Sequence, residues 1–364
     1  MLETAYLVSY IASFVLVLLA LAIINPIAIE KDLVDKPDGD RKQNVTAVPL
    51  TGGMAIFAAL AITLAFSPIA QEAVPYPLDF SPLTGTLLAL LILAHVLDDV
   101  YDIAAVVRLT LDGLIGILIS SIGLLQITTL GYLFGPSEMT LGRWSILMTI
   151  FSFIAASNAF NMTDGIDGLC VGLGIICFAT ILALLLETRN PDAVGVARFC
   201  MVMICALLAM YIANLGYLGK RFRAFLGDSG ARLIGFIAAI TLMYIAKEGF
   251  VDPVIVYFPI AVPVCDCLIL MGSRALQKRS PLSADRLHMH HLLLDFGLSQ
   301  NLARAAIFLL ALSLSALGYL LQNMDVVEWQ ISITIVASFF SVMAIRQFLI
   351  RMNASRGVDA VPVE

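Results

Sequence analysis

The sequence predicts an all-α, polytopic integral membrane protein with about eleven transmembrane helices. Hydrophobic residues make up 60% of the 364 residues and charged residues only 13%, against roughly 45–50% and 25% in soluble domains. The apolar residues are concentrated in runs of about 17 to 22 residues, long enough to cross a hydrocarbon core of about 30 Å. Because a backbone surrounded by lipid must satisfy its own hydrogen bonds, each run is predicted to be helical.

The connections between these runs are mostly short, and no internal repeat divides the chain. The runs lie near residues 5–26, 49–69, 82–98, 108–127, 144–162, 168–186, 198–217, 230–246, 253–272, 303–322 and 328–348. We therefore predict a single transmembrane domain over residues 1–364. Its active-site loops are predicted at residues 30–48, 98–107, 158–168, 218–230 and 273–302.

The distribution of charge predicts the orientation. With the N-terminus outside, seventeen of the twenty-one Lys and Arg residues fall on the inner side and four on the outer side. Cytoplasmic loops are enriched in Lys and Arg, so the N-terminus is predicted to be periplasmic and the C-terminus cytoplasmic. Eleven aspartates and three of the four histidines share the inner side. Charge bias does not explain them, and they indicate a site for a cation and a polyphosphate. The net charge of −6 argues against a nucleic-acid partner.

Two aspartates end the third predicted helix, in the motif Asp98-Asp99-x-x-Asp102. Adjacent carboxylates repel each other, so they persist where water, a metal or a cationic substrate offsets their charge. A solvated helix end would explain such a pair. Because this pair lies at the membrane boundary of a charge-poor chain, we favour a Mg²⁺ site or a general base.

A second motif runs from Asn158 to Gly168 and reads NAFNMTDGIDG. Asn158 and Asn161 lie three residues apart, so both amides can lie on one face of a helix. Glycine follows Asp164 and Asp167, and it lets the backbone approach a ligand closely. A turn between helices would explain one Asp-Gly pair, but two pairs beside two amides indicate a binding site.

A third motif, Phe225-Leu-Gly-Asp228-Ser-Gly, opens the eighth predicted helix. The free amides at a helix N-terminus favour phosphate. Helix capping accounts equally well for Asp228, so this motif alone leaves both explanations open.

A fourth motif follows the ninth predicted helix and combines Arg286 with three histidines. These are His288, His290 and His291. We interpret the motif as a phosphate-recognition site rather than a metal site, because no cysteine accompanies it. The remaining histidine, His95, lies about one turn before Asp98, and we interpret it as a satisfied core residue.

The loop at 30–48 carries Asp35, Lys36 and Arg41 at the level of the lipid headgroups. Basic residues at this level can bind an anionic lipid head, which would make the loop a lipid-phosphate site. The positive-inside rule explains the same basic residues without a ligand, so both interpretations stay open.

Taken together, the four main motifs resemble the polyprenyl-phosphate N-acetylhexosamine-1-phosphate transferases. The motifs occur in the family's order and on one predicted membrane face, and the resemblance covers essentially the whole chain. The segment Asp285-Arg286-x-His288-x-His290-His291 is similar to one branch of the family. That branch transfers N-acetylglucosamine-1-phosphate from UDP-N-acetylglucosamine to undecaprenyl phosphate, releases UMP and uses Mg²⁺ or Mn²⁺. It begins O-antigen and other surface polysaccharides at the cytoplasmic face of the bacterial inner membrane.

The resemblance also implies a role for each matching residue. Asp98 would act as the base on the lipid phosphate, with Asp99 beside it, and Asn161 and Asp228 would hold the metal. The nucleotide and sugar would be bound by Asn158, Asp164, Asp167 and Phe225, with Phe225 stacking on uracil. The diphosphate or the sugar would be bound by Arg286, His288, His290 and His291.

One departure from the family leaves part of the uridine contact unassigned. Many relatives carry an asparagine about ten residues before the metal aspartate, whereas residues 218–223 here read LGKRFR. It also stays open which aspartate removes the proton. Direct attack of the lipid phosphate competes with a covalent aspartyl-phosphate on Asp98. We favour direct attack, because exchange between two similar phosphoanhydrides needs no covalent relay. The sequence does not fix the oligomeric state, although members of the family form homodimers.

Two other functions remain as alternatives. The first is a related transferase that uses UDP-muramoyl-pentapeptide or another UDP-N-acetylhexosamine. The muramoyl-pentapeptide branch usually has lysine after its aspartate pair and a His-His-His loop, and this chain has neither. The second is a nucleotide-sugar transporter, which should show two related halves with binding residues near mid-membrane. Here the polar motifs are predicted at one face.

Overall fold

The computed structural model describes residues 2–35, 47–67, 82–101, 103–123, 125–281, 286–324 and 326–356. Most of these residues are helical. The α-helices are α1 Leu2–Glu30, α2 Gly52–Phe66, α3 Pro82–Tyr101, α4 Ala105–Gly123, α5 Ser145–Thr163, α6 Leu169–Thr188, α7 Val194–Asn214, α8 Gly227–Lys247, α9 Ala261–Leu276, α10 Met289–Asp295, α11 Gln300–Asn323 and α12 Glu328–Ser355. Two short antiparallel strands, β1 Val34–Asp35 and β2 Val48–Pro49, pair between α1 and α2.

The prediction of a mainly helical, multi-pass membrane protein is confirmed, since each of the eleven apolar runs contains an α-helix. Within the described ranges, nine helical stretches are long and apolar enough to cross a membrane. The other two runs correspond to α2, which has only 15 residues, and to α4, which carries Arg108 and Asp112 near its start. The count of eleven spans and the orientation therefore stay predictions. Helix α10 was not predicted and lies within the loop at 273–302.

Helix α8 is the centre of the bundle, and it packs against α2, α3, α5 and α6. Glycines allow close approach on two sides. A Cβ on Gly53 of α2 would lie 2.7 Å from the Cα of Gly230, and Gly235 packs against the backbone of Ala156 on α5. Helices in lipid associate through such close van der Waals contact rather than through the hydrophobic effect. The central helix is therefore held tightly in position along its length.

The start of α2 fixes the chain that leads into α8. The amides of Gly52 and Gly53 donate to the carbonyls of Phe225 and Leu226, at 2.9 and 3.1 Å, and the Phe225 amide donates to the Pro49 carbonyl at 2.8 Å. The segment 49–53 thus supports the third sequence motif through its backbone. This places the N-terminus of α8 beside the C-terminal ends of α3 and α5.

Candidate active site

The four sequence motifs meet at one end of the bundle. The first, at the end of α3, forms an ion pair with the start of α4. Asp98 is almost fully buried, and its two oxygens accept hydrogen bonds from the Ile103 amide at 2.8 Å and from Arg108 Nη1 at 2.7 Å. Asp102 lies outside the described residues. In the sequence Arg108 is only one of the cations on the inner side, whereas in the structure its guanidinium pairs directly with the first aspartate of this motif.

The third motif brings Asp228 into the same cluster. Its carboxylate Oδ2 lies 3.3 Å from Arg108 Nη1 and 3.1 Å from the amide nitrogen of Asn161 on α5. The backbone amide of Asp228 donates to Asp99 Oδ1 at 3.0 Å. Gly227 has a φ of +70°, and a Cβ there would lie 2.8 Å from Asp99 Oδ2. Only glycine meets both conditions, so Gly227 lets α3 and α8 bring their aspartates together.

The second motif forms the turn between α5 and α6. Asp167 lies 3.3 Å from Arg223 Nη2, and its carbonyl accepts a hydrogen bond from Arg304 of α11 at 2.6 Å. Asn214 is buried and holds the turn, because its Oδ1 accepts from the Gly168 amide and its Nδ2 donates to the Ala224 carbonyl at 2.9 Å. Asn214 is four residues upstream of the stretch in which we found no asparagine, so it was missed as a structural link between the two motifs.

Phe225 and Asn158 occupy different depths. Phe225 is half-buried, and the Arg223 guanidinium lies 5.9 Å from the centre of its ring. Asn158 lies one turn below Asn161, where its Oδ1 accepts from Arg232 at 3.2 Å and its Nδ2 donates to the Ile154 carbonyl at 2.9 Å. Phe225 is therefore beside the acidic cluster, and Asn158 lies beneath it.

The histidine motif caps the site from α10. His290 is buried and packs against Gly165 of the α5–α6 turn. Its ring centre lies 5.7 Å from that of His288 and 4.2 Å from that of His291. Arg286 is more exposed and lies 3.5 Å from Asp295, and Asp285 falls outside the described residues. Burial, aided by the neighbouring histidines and Arg286, lowers the pKa of His290 well below its usual value. His290 is therefore neutral at pH 7 and carries one donor and one acceptor.

A buried aspartate on α9 orients this motif. Asp266 Oδ2 lies 3.0 Å from His288 Nδ1, while Oδ1 accepts the Met289 amide at 3.2 Å and lies 3.2 Å from Arg346 Nε of α12. A carboxylate on one ring nitrogen fixes which nitrogen carries the proton. Asp266 lies inside an apolar run, and that isolated charge was the sequence signal we did not use.

Asp266→Asn is expected to reduce kcat/KM about tenfold for the sugar donor that the family resemblance implies, which is the lower end of the effect of residues that orient a ligand-binding side chain. The asparagine amide can present a donor to His288, which reverses the ring tautomer, and it weakens the contact with Arg346. The measurement is the initial transfer rate per folded protein, with the melting temperature recorded alongside. The control is Cys267→Ala, a neighbouring buried position on α9. Equal rates for wild type and Asp266→Asn would contradict an orienting role.

The cluster carries more negative charge than its cations offset. Burial, together with the charges of Asp228, Asp167 and Asp99, raises the pKa of Asp164 to about 8. Burial also raises the pKa of Asp167, although Arg223 opposes the shift. Asp99 Oδ2 is buried and has no hydrogen-bond partner among the described residues. Such an excess of carboxylate oxygen suits a divalent cation.

The acidic cluster suits a divalent cation that keeps part of its shell of water. In the part of the chain that the structure describes, no three His, Cys, Asp or Glu side chains converge as a complete metal site. Mg²⁺ usually takes one or two carboxylates from the protein and completes its shell with water and substrate phosphate oxygens. The residues present, Asp228, Asn161 and Asp99, fit that pattern.

Two residues of the predicted lipid-phosphate site, Lys36 and Arg41, lie outside the described residues. The third, Asp35, lies in β1 and is half-buried. His95 is fully buried, as expected of a core histidine, and its Nε2 pairs with Asp112 at 2.7 Å. Its Nδ1 has no hydrogen-bond partner among the described residues, so the expected full satisfaction of this histidine is only half met.

An acidic cluster with paired arginines and a histidine cap, set at one end of a bundle of apolar helices, fits a membrane protein that binds phosphate groups and a cation. The chain belongs to glycosyl transferase family 4, whose model matches residues 81–246. It is 34% identical over 333 residues to the undecaprenyl-phosphate alpha-N-acetylglucosaminyl 1-phosphate transferase of Escherichia coli strain K12. That alignment covers 91% of this chain and 88% of the Escherichia coli protein. The proteins of the same name from Yersinia pestis and Pasteurella multocida are 35% and 34% identical over 313 and 337 residues. Those alignments cover 85% and 92% of this chain, and 82% and 91% of the relatives. The suspected family resemblance is confirmed.

Proposed function

We propose that this protein transfers N-acetylglucosamine-1-phosphate from UDP-N-acetylglucosamine to undecaprenyl phosphate and releases UMP. The observation that carries the proposal is the identity of 34% over 91% of the chain to a transferase named for this reaction. The site is consistent with it, because Asp98, Arg108 and Asp228 form one cluster at a helix end, where a diphosphate and a lipid phosphate can meet. The first product would be the lipid-linked sugar of a surface polysaccharide.

The reaction is a direct phosphoryl exchange. An oxygen of the lipid phosphate attacks the β-phosphorus of the UDP-sugar, the new phosphoanhydride bond forms, and the bond between the β-phosphorus and the bridging oxygen breaks. UMP leaves with that oxygen. Negative charge accumulates between donor and acceptor, so catalysis depends on positioning and on positive charge.

Asp98 and Asp99 are proposed as the catalytic pair, with Asp98 taking the proton from the lipid phosphate. Arg108 joins the two halves of the site, since it lies 2.7 Å from Asp98 and 3.3 Å from Asp228. If a phosphate group entered between these carboxylates, the Arg108 guanidinium would contact it and stabilise its negative charge. Arg108 is therefore proposed as a third functional residue of this region.

Asp228 and Asn161 are proposed to hold Mg²⁺ or Mn²⁺ on the pyrophosphate. A half-turn of the Asn161 amide would present its oxygen in place of the nitrogen that now faces Asp228. When bound, the divalent ion would supply positive charge to the pyrophosphate oxygens. A bound cation would lower the raised pKa of Asp164, so that carboxyl group would lose its proton.

Asp167, Phe225, Asp164 and Asn158 are proposed to serve the nucleotide and sugar. Phe225 is half-buried beside Arg223, so one face is available to a planar base. The position of Asn158 below the cluster suggests that it acts by supporting Asn161. Arg286, His288, His290 and His291 are proposed to bind the diphosphate or the sugar from above.

The site is proposed to face the cytoplasm from the bacterial inner membrane, with one domain over residues 1–364, eleven spans and the N-terminus in the periplasm. The excess of Lys and Arg in the connections at this end supports that orientation. Asp35, at the end of β1, is proposed to approach the lipid phosphate together with Lys36 and Arg41. A homodimer is proposed by analogy with the family.

The test is a donor panel with the purified full-length protein in detergent, undecaprenyl phosphate and Mg²⁺. Radiolabelled UDP-N-acetylglucosamine, UDP-N-acetylgalactosamine and UDP-muramoyl-pentapeptide are supplied separately, and label is followed into the lipid phase. We expect label only from UDP-N-acetylglucosamine, with one UMP released for each lipid product.

Transfer from UDP-muramoyl-pentapeptide instead would keep the family and reject the donor. If no UDP-sugar labels the lipid while sealed vesicles containing the protein take up labelled UDP-sugar, the transferase proposal fails and a transporter is indicated. Addition of EDTA should abolish transfer, and excess Mg²⁺ or Mn²⁺ should restore it.

A further inference from the structure

Beneath the acidic cluster lies a second set of five polar residues, and all of them except Asn158 are without a role in the proposed reaction. Asp112 of α4 is fully buried, and its Oδ1 pairs with His95 Nε2 of α3 at 2.7 Å. Its Oδ2 accepts from Arg232 Nη1 of α8 at 2.8 Å and from the Ser157 hydroxyl of α5 at 3.0 Å. Arg232 also donates to Asn158 of α5 at 3.2 Å. We call these five residues the buried layer.

Each residue of the buried layer lies one helical turn from a residue of the site. On α3 His95 precedes Asp98 by three residues, and on α5 Asn158 precedes Asn161 by three. On α4 Arg108 precedes Asp112 by four residues, and on α8 Asp228 precedes Arg232 by four. One turn is about 5.4 Å of helix, so the layer lies immediately below the site on the same four helices.

The same helix pairs are joined twice. Helices α3 and α4 are joined by Asp98–Arg108 above and His95–Asp112 below. Helices α4 and α8 are joined by Arg108–Asp228 above and by Asp112–Arg232 below. The order of charge is opposite on α4 and α8, so a slip of one turn between them would place like charges together. Like charges are strongly unfavourable in a low-dielectric interior, and the pairing therefore fixes the register of the two helices.

We propose that the buried layer, centred on Asp112 and Arg232, sets the register of α3, α4, α5 and α8 and thereby positions Asp98, Arg108, Asn161 and Asp228 for transfer. The inference rests on the proposed function for its kinetic readout. Asp112 and Arg232 are positioning residues, because their side chains contact one another and the rest of the layer, one turn below the residues proposed to act on the substrates. Ionised groups this far inside a bundle are costly unless they serve a purpose.

The test separates positioning from simple stability. Asp112→Asn leaves the buried Arg232 without its counter-charge, so its melting temperature should fall. The double variant Asp112→Asn with Arg232→Gln removes both charges, which often restores stability. If the layer positions the site, the double variant should regain its melting temperature and still transfer about 10 to 100 times more slowly than wild type.

A second readout does not depend on turnover. Mn²⁺ is titrated into the purified protein with UDP-N-acetylglucosamine but without lipid, and binding is followed by electron paramagnetic resonance. We expect about tenfold weaker Mn²⁺ binding in the double variant. Arg232→Lys keeps the charge but can reach only one of the two partners, and it should show a smaller loss of both readouts with a normal melting temperature. The control is Thr241→Val, which removes a buried hydroxyl from α8 further along the same helix.

Recovery of transfer and Mn²⁺ binding together with the melting temperature, in either stable variant, would show that the layer only stabilises the fold and would overturn the inference. If the wild type transfers nothing but binds Mn²⁺, the proposed function fails while the Mn²⁺ titration still decides the positioning role. A wild type that neither transfers nor binds Mn²⁺ would overturn both.

Discussion

Asp228→Asn is expected to lower the transfer rate at least about 10²-fold, the size of the effect when a group that stabilises transition-state charge is lost. Asp228 contacts Arg108 and Asn161 through its carboxylate and Asp99 through its backbone amide. Asparagine keeps the shape but removes the charge that would attract the cation. The measurement is the initial rate of label transfer over a range of Mg²⁺ concentrations, and the half-saturating concentration should rise.

The matched control for that experiment is Asp252→Asn. Asp252 is half-buried at the opposite end of the bundle, where its carboxylate accepts a hydrogen bond from Gln322 at 3.3 Å. Its substitution by asparagine therefore makes the same chemical change as Asp228→Asn, but away from the site. If both variants lose activity equally, the loss would reflect general destabilisation, and Asp228 would have no special role.

Asp98→Asn is expected to lower kcat by about 10²- to 10⁴-fold, the range for loss of a general base. Asparagine has one acceptor oxygen where Asp98 has two, so it can keep only one of the hydrogen bonds from the Ile103 amide and from Arg108. The melting temperature is therefore recorded with the rate. Because the lost interaction acts in the transition state, kcat and kcat/KM should fall together while KM for both substrates stays close to wild type. A rise in KM without a change in kcat would instead make Asp98 a binding residue.

The same preparation distinguishes the two chemical routes. Wild-type protein is incubated with UDP-N-acetylglucosamine labelled at the β-phosphate, in the absence of lipid. Direct displacement predicts neither UMP release nor labelled protein. Stoichiometric labelling of the protein that Asp98→Asn abolishes would establish the aspartyl-phosphate route in its place.

Much of the fold can be predicted from the lipid environment of the apolar runs alone. A run of about 20 apolar residues in lipid has to be helical, so the location of eleven of the twelve α-helices could be predicted. Their ends could not be placed as well. The run at 253–272 begins as a 3-10 helix, Ile255–Ile260, with Pro259 inside it, and only then becomes α9. The packing that creates α10 also left no clear periodic signal, because that helix is only seven residues long.

The motifs that form the site could be predicted from the sequence, but the side chains with which they pair could not. Repeated Asp-Gly and clustered histidines are visible along the chain, and the structure brings them together. The partners of those motifs are single charges in apolar runs, such as Arg108, Asp112 and Asp266. Which charge pairs with which depends on how the helices cross, and that is decided by tertiary packing. Asn214 was missed for the same reason, since its two contacts are 46 and 10 residues away.

The backbone contact between Gly53 and Gly230 has a consequence for how natural variation in this protein should be interpreted. Neither residue has a reactive group, but any added side chain would push α2 and α8 apart two residues from Asp228. Both positions require a residue without a side chain, because the backbones of α2 and α8 are in direct contact there. A survey of tolerated variants would therefore rank both glycines with the aspartates proposed to be catalytic, and a map of mutational sensitivity alone would overstate the number of residues that carry out chemistry.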